Sequence, residues 1–207
     1  MSDFLATFIF FFAVIDPIGT VPVFLAVTRA YEEHVKRQIA IKAVLISGAI
    51  LLFFLVAGEV ILDAIKVPLS AFQIAGGIVL FLFALSMIFG DSKPDQELKM
   101  VSATDTAIFP LAVPSIASPG AMLAAVLLTE NGEYNIMEQG LTALSMFAVL
   151  AIVLLLLIGA SWIHRLIGNS GASIISRVMG LILASVAVNS VLGGAKEYFS
   201  LVIPVAG

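Results

Sequence analysis

Residues 4–27 read FLATFIFFFAVIDPIGTVPVFLAV, an apolar run whose single charge, Asp16, falls near its middle. About 20 apolar residues carry a helix across the hydrocarbon core of a bilayer, so the run has the length of a membrane span. The motif Asp16-Pro17-Ile18-Gly19 interrupts it. Aspartate is a favoured N-cap, because its carboxylate accepts from backbone N–H groups that the first helical turn leaves without partners. Proline is favoured at the next position, where no N–H is needed. Cap followed by proline is a helix-start signal, here placed at membrane depth. It predicts two half-helices, one ending near Ile15 and one restarting at Pro17. Glycine beside the break lets the backbone turn or another segment come close.

Working outward, the composition sets the class. Of 207 residues, 61% are hydrophobic and 12% charged, against about 25% charged in soluble domains. Further spans are expected at about 43–65, within 67–90, within 106–129, within 139–163 and between Arg177 and Lys196, with a short apolar end after Lys196. The fold class expected is all-α, an integral membrane protein of six helices. Residues 4–15 lack a basic flank, so they are taken as part of a mature span and not as a signal peptide.

Eight of the ten basic residues, Arg29, Lys36, Arg37, Lys42, Lys93, Lys99, Arg165 and Arg177, fall in the three loops of one side; Lys66 and Lys196 fall on the other. The positive-inside rule makes the first side cytoplasmic, which puts both termini outside and the chain in a cell membrane. The loop of residues 130–138, with three acidic residues and no basic one, fits the outer side.

The fourth span has its own break, Ser118-Pro119-Gly120, with serine as the cap and Pro110 and Pro114 weakening the half before it. The two Pro-Gly motifs stand about 102 residues apart. Residues 77–90 (GIVLFLFALSMIFG) align without a gap on residues 180–193 (GLILASVAVNSVLG) at an offset of 103. A unit of three spans is odd, so its second copy enters the membrane inverted. One membrane domain of two inverted-topology repeats, about 1–92 and 93–207, is therefore expected, with spans 1 and 4 discontinuous. This plan recurs in secondary transporters.

Two half-helix N-termini at the midplane carry partial positive charge and suit a carboxylate. Asp16 would meet an ammonium group or bind a coupling proton or cation, and a zwitterion satisfies both ends. The candidate substrate-binding residues are Asp16, Pro17, Gly19, Thr20, Ser118, Pro119, Gly120 and Asn189, and the candidate coupling residue is Asp16. An ionisable side chain at this depth costs at least about 2.5–3.5 kcal/mol on insertion scales, which makes a functional site the default reading, although a purely structural cap fits the same pattern. Asn189, opposite Ser86 in the repeat, is expected to face the bundle, as interhelical glue or as a substrate contact. Glu59 is read as snorkelling or capping near the outer end of its span. Gly76, Gly77 and Gly180 are read as close-packing positions.

The residues also exclude. The chain has no cysteine, no nucleotide-binding loop and no basic patch for nucleic acid. Neither His34 nor His164 lies mid-span, and Asp16 is the one aspartate that does, so no protease-like constellation or metal cluster is expected. No enzyme activity and no cofactor are expected. The expected partners are a small zwitterion, the bilayer and a proton or sodium ion; self-association, transport direction and a channel for other small polar solutes stay open.

The runs DPIGTVPVFLAV (16–27) and PLAVPSIASPGAM (110–122), with the GGIVLF and MGLILA segments, resemble the MarC family of small bacterial and archaeal membrane proteins over nearly the whole chain. The resemblance implies transport of small neutral amino acids such as glycine and alanine. It carries over site positions Asp16, Pro17, Gly19, Pro22, Pro119 and Gly120. Where the family usually has Gly-Pro-Gly in the fourth span, this chain has Ser118, which keeps the break and adds a hydroxyl.

Overall fold

The computed structural model describes residues 4–89, 102–131 and 134–202, and these residues are helical throughout apart from short connections. The order is α1 (Phe4–Ile15), α2 (Pro17–Thr28), α3 (Glu33–Ala64), α4 (Leu69–Phe89), α5 (Ala103–Thr106), a wide-turned stretch Ala107–Ile116, α6 (Pro119–Leu127), α7 (Ile136–Ile158) and α8 (Ala160–Val202). Five helical units are long and apolar enough to cross a membrane: Phe4–Thr28, α3, α4, α7 and Ser173–Ser200 of α8. A sixth crossing follows if Ala103–Ile116 and α6, bent by 57° at their junction, form one span.

Helices extend further than the apolar runs that betray them. α3 begins at Glu33, so Lys36, Arg37 and Lys42 ride on its first turns and not in a loop. α8 likewise absorbs the expected connection through Arg165 and Arg177, interrupted at Gly168, whose φ of 67° is a conformation glycine adopts without steric cost. The expected interfacial end after Lys196 is also helical as far as Val202. Charged residues at a span end continue the backbone ladder in water, so the helix outlasts its hydrophobic signal. The repeat junction at 92/93, Lys93, Lys99, Gly90 and the end of the chain lie outside the described residues.

Small residues hold the bundle together. In lipid, helices gain little from hydrophobic burial against one another, so close backbone approach supplies the packing energy. α4 and α8 run antiparallel with their backbones nearly touching. A Cβ at Gly77 would sit 3.0 Å from the Ala187 carbonyl, one at Gly180 would sit 3.0 Å from the Ala84 carbonyl, and one at Gly194 would sit 2.7 Å from the Ser70 carbonyl. The first two contacts interchange when 103 is added to Gly77 and Ala84, the offset of the sequence repeat. Across the bundle, α3 takes up α6 at Gly58, which lies against Val126, and α7 at Gly48, which lies against Phe147 and Leu150. The most buried side chains, among them Phe11, Ile15, Leu80, Leu111, Ile116 and Met146, surround the two interrupted spans.

Candidate functional site

The break in the first span has the expected anatomy. Asp16 caps α2: its Oδ1 accepts from the Gly19 N–H at 3.0 Å, and Pro17 takes the first helical position. Asp16 itself adopts the left-handed conformation (φ 46°, ψ 68°), a region where non-glycine residues are uncommon but Asp and Asn are enriched. The cap residue thereby turns the chain within one residue, and Phe4–Thr28 carries on as a single crossing. Asp16, Pro17 and Thr20 are buried, and the Thr20 hydroxyl donates to the Asp16 carbonyl at 3.0 Å.

The fourth span breaks more thoroughly. Phe109 (φ −131°, ψ 128°) and Val113 (φ −129°, ψ 126°) are extended, each before a proline, because proline's ring pushes the preceding residue out of the helical region. Both X-Pro bonds are cis. Ser118 then caps α6, its Oγ accepting from the Ala121 N–H at 3.1 Å, with Pro119 at the first position. The Gly19 N–H on the Asp16 carboxylate and the Ala121 N–H on the Ser118 hydroxyl are the same three-residue cap, displaced by 102 residues.

The fold brings the two breaks into contact. Ser118 is fully buried and its hydroxyl donates to the Val14 carbonyl at 3.2 Å. Val14 is in the last turn of α1, where carbonyls have no regular intrahelical donor. Ser115 Oγ donates to Thr20 Oγ1 at 3.4 Å. Gly120 makes the approach sterically possible, since a Cβ there would fall 2.9 Å from Val14 Cγ1 and would collide with Leu80 Cδ1. The Ser118 hydroxyl is thus a crosslink between the spans. The wide-turned stretch is anchored on its far side by Ser47, which donates to the Ala43 carbonyl (2.8 Å) and the Ala112 carbonyl (3.4 Å). Ser47 and Ser115 did not emerge from the sequence; the available signal was a small hydroxyl residue in an otherwise apolar span.

Other candidates lie elsewhere. Pro119 is exposed beside the cap. Asn189 is exposed on α8 and does not face the bundle, because the packed face of that helix is taken by Gly180, Leu183, Ala187, Ser190 and Gly194. Ser86 is exposed too, donating to the Phe83 carbonyl. Glu59 Oε2 accepts from the Asn131 N–H at 2.9 Å, tying α3 to the turn after α6. Among the described residues no group of three or more His, Cys, Asp or Glu side chains is arranged to hold a metal.

The similarities of this chain to known proteins are uniform. The model of the "MarC family integral membrane protein" matches residues 1–199. The chain belongs to the MarC family. It is similar to a UPF0056 membrane protein of Archaeoglobus fulgidus, 34% identical over 201 residues, covering 95% of this chain and 94% of the relative. It is also similar to the UPF0056 membrane protein YvbG of Bacillus subtilis, 34% identical over 198 residues and 93% of each chain. A third relative, a UPF0056 membrane protein of Aquifex aeolicus, is 30% identical over 204 residues, covering 94% of this chain and 92% of its own. No solved structure matches. This MarC protein is therefore an integral, multi-pass membrane protein that spans essentially the full length of its relatives.

Proposed function

We propose that this MarC protein is a secondary transporter of small neutral amino acids of the glycine or alanine size, working by alternating access between halves of about 1–92 and 93–207. The observation that carries the reading is the buried contact of the two helix breaks, Ser118 Oγ on the Val14 carbonyl and Ser115 on Thr20. Non-helical backbone at membrane depth persists only where protein or a polar cavity satisfies it, and here it is gathered in one place. The starts of α2 and α6 offer the positive ends of helix dipoles to a carboxylate. An ionised carboxylate has about four acceptor sites; the Gly19 N–H occupies one at Asp16, and a substrate ammonium or a coupling proton or sodium ion takes another. Pro17, Gly19, Thr20, Pro119 and Gly120 shape the two breaks around that group.

The inverted-repeat part of the reading is supported by the register of α4 on α8, where Gly77 against Ala187 and Gly180 against Ala84 are the same contact displaced by 103 residues. The proposed orientation in the cell membrane, with the basic face in the cytoplasm and both termini outside, rests on the charge asymmetry.

Reconstituted vesicles test the function. Labelled glycine or alanine should enter saturably and exchange against an internal pool, with imposed pH and sodium gradients applied separately to find the driving ion. A gradient effect present in the natural protein should vanish in Asp16→Asn. Flux without saturation or counterflow would instead mark a channel, and an unchanged gradient response in Asp16→Asn would remove Asp16 from coupling.

A further inference from the structure

Asn189 lies deep in a membrane-length helix and points the wrong way for a bundle. It is seven residues before Lys196, about 10 Å along the helix at 1.5 Å per residue. It is exposed, among the exposed apolar side chains Leu181, Val188 and Leu192. No other described residue hydrogen-bonds its amide. Hydrocarbon offers nothing to an amide, so a polar side chain there is unfavourable unless a protein group meets it.

The surface around it is shaped for a neighbour. Ser185, Asn189 and Gly193 recur every fourth residue and are all exposed, which forms one ridge along α8. The Ser185 hydroxyl is already satisfied by the Leu181 carbonyl at 3.1 Å, so along this ridge the amide is the group seeking a partner. Gln73 of α4, a second amide with no hydrogen bond to the described residues, reaches to within 3.4 Å of where a Gly193 Cβ would be. Small residues on either side of the amide permit close helix approach.

We propose that the exposed α8 ridge is a homodimer interface, in which Asn189 pairs with Asn189 of a second copy of this chain. Copies inserted with the same topology are related by an axis along the membrane normal, and such an axis brings residues of equal depth together. An amide carries both donor and acceptor, so two of them satisfy each other reciprocally. That self-complementarity singles out a second copy from other occupants of the face. The inference is independent of the transport reading.

The absence of cysteine from the chain makes the test direct. Full-length Asn189→Cys protein is oxidised in its native membrane and compared with Val56→Cys, whose site is 68% exposed on α3, a helix that packs mainly against α6, α7 and the stretch Ala107–Ile116. The Asn189→Cys protein should give a disulfide dimer many times stronger than the Val56→Cys background. Asn189→Leu, a change that lipid tolerates, should raise the dimer dissociation constant in vesicles roughly 3- to 30-fold by energy transfer between labelled copies, and Asn189→Gln should restore part of the loss. Crosslinking no stronger than at Val56→Cys, crosslinks only to a species of different mass, or an unchanged dissociation constant in Asn189→Leu would each overturn the proposal.

Discussion

Asp16 combines three demands that no other side chain meets together: a cap for α2, a left-handed backbone and, in the proposed transport cycle, a charge at the centre of the site. Asparagine meets the first two. We therefore expect Asp16→Asn to keep the fold, with an apparent melting temperature in detergent close to the natural one, while substrate-driven transport is lost. Asp16→Ala loses the cap and sits poorly at φ 46°; loss of a cap alone costs about 0.5–2 kcal/mol, so its melting temperature should fall clearly below that of Asp16→Asn. Equal melting of the two variants would show that the carboxylate is there for charge alone. Ser118 carries a matching prediction. Its hydroxyl accepts from Ala121 and donates to Val14, so Ser118→Ala removes a cap and a buried crosslink at once, while Ser118→Gly retains most of the capping preference. Thermal melts should rank natural above Ser118→Gly above Ser118→Ala; a natural protein melting no higher than Ser118→Gly would mean that the Val14 bond contributes nothing, and Ser118→Ala melting no lower than Ser118→Gly would mean that the cap position does not matter.

At the scale of elements, the breaks were legible because cap and proline signals are local: two adjacent residues suffice to place Asp16-Pro17 and Ser118-Pro119 at helix starts. What stayed illegible depends on distant neighbours. Nothing local to Ser118 announces Val14, nothing near Ser47 announces Ala112, and the period of α8 does not say which of its faces meets α4. The assignment of Asn189 to the bundle failed for that reason: a polar residue in an apolar span was assumed to turn inward, while the inward face is taken mostly by small residues, Gly180, Ala187, Ser190 and Gly194, with Leu183. Those small residues make a sharp test. Gly194→Ala places a methyl 2.7 Å from the Ser70 carbonyl, a backbone atom that cannot swing aside, whereas Gly140→Ala on α7 meets nothing within 4 Å. Overpacking of this kind costs about 1–3 kcal/mol, and alanine for glycine at a free helical site gains about 0.5–1 kcal/mol. Melting should therefore fall in Gly194→Ala and hold or rise in Gly140→Ala. Identical behaviour would mean that α4 and α8 do not pack backbone to backbone.

For the whole molecule, the composition and the spacing of apolar runs sufficed to reveal a multi-pass helical membrane protein, since a bilayer admits few alternatives. Sidedness rests on a different physical quantity, the distribution of Lys and Arg, and is open to direct measurement. The side that holds Lys36, Arg37 and Lys42 also carries the Tyr31–Thr106 and Lys42–Thr104 contacts, at 3.3 and 3.1 Å, that tie α2 and α3 to the start of the broken fourth span. The opposite side is tied by Glu59 to Asn131 at 2.9 Å and by Gln139 of α7 to Asn131 at 3.0 Å. In the proposed cycle these are the inner and outer fastenings of the same span, so orientation decides which of them a substrate arriving from the cytoplasm must loosen. Single cysteines in this cysteine-free chain read it out. Met137→Cys, at a site 76% exposed on the first turn of α7, should react with a membrane-impermeant maleimide in intact cells. His34→Cys, at an exposed site on the first turn of α3, should react only after the membrane is opened. The reverse pattern would invert the molecule and exchange the two fastenings. Labelling of both sites in intact cells, with the membrane shown to be sealed, would mean that the basic residues do not set a single orientation.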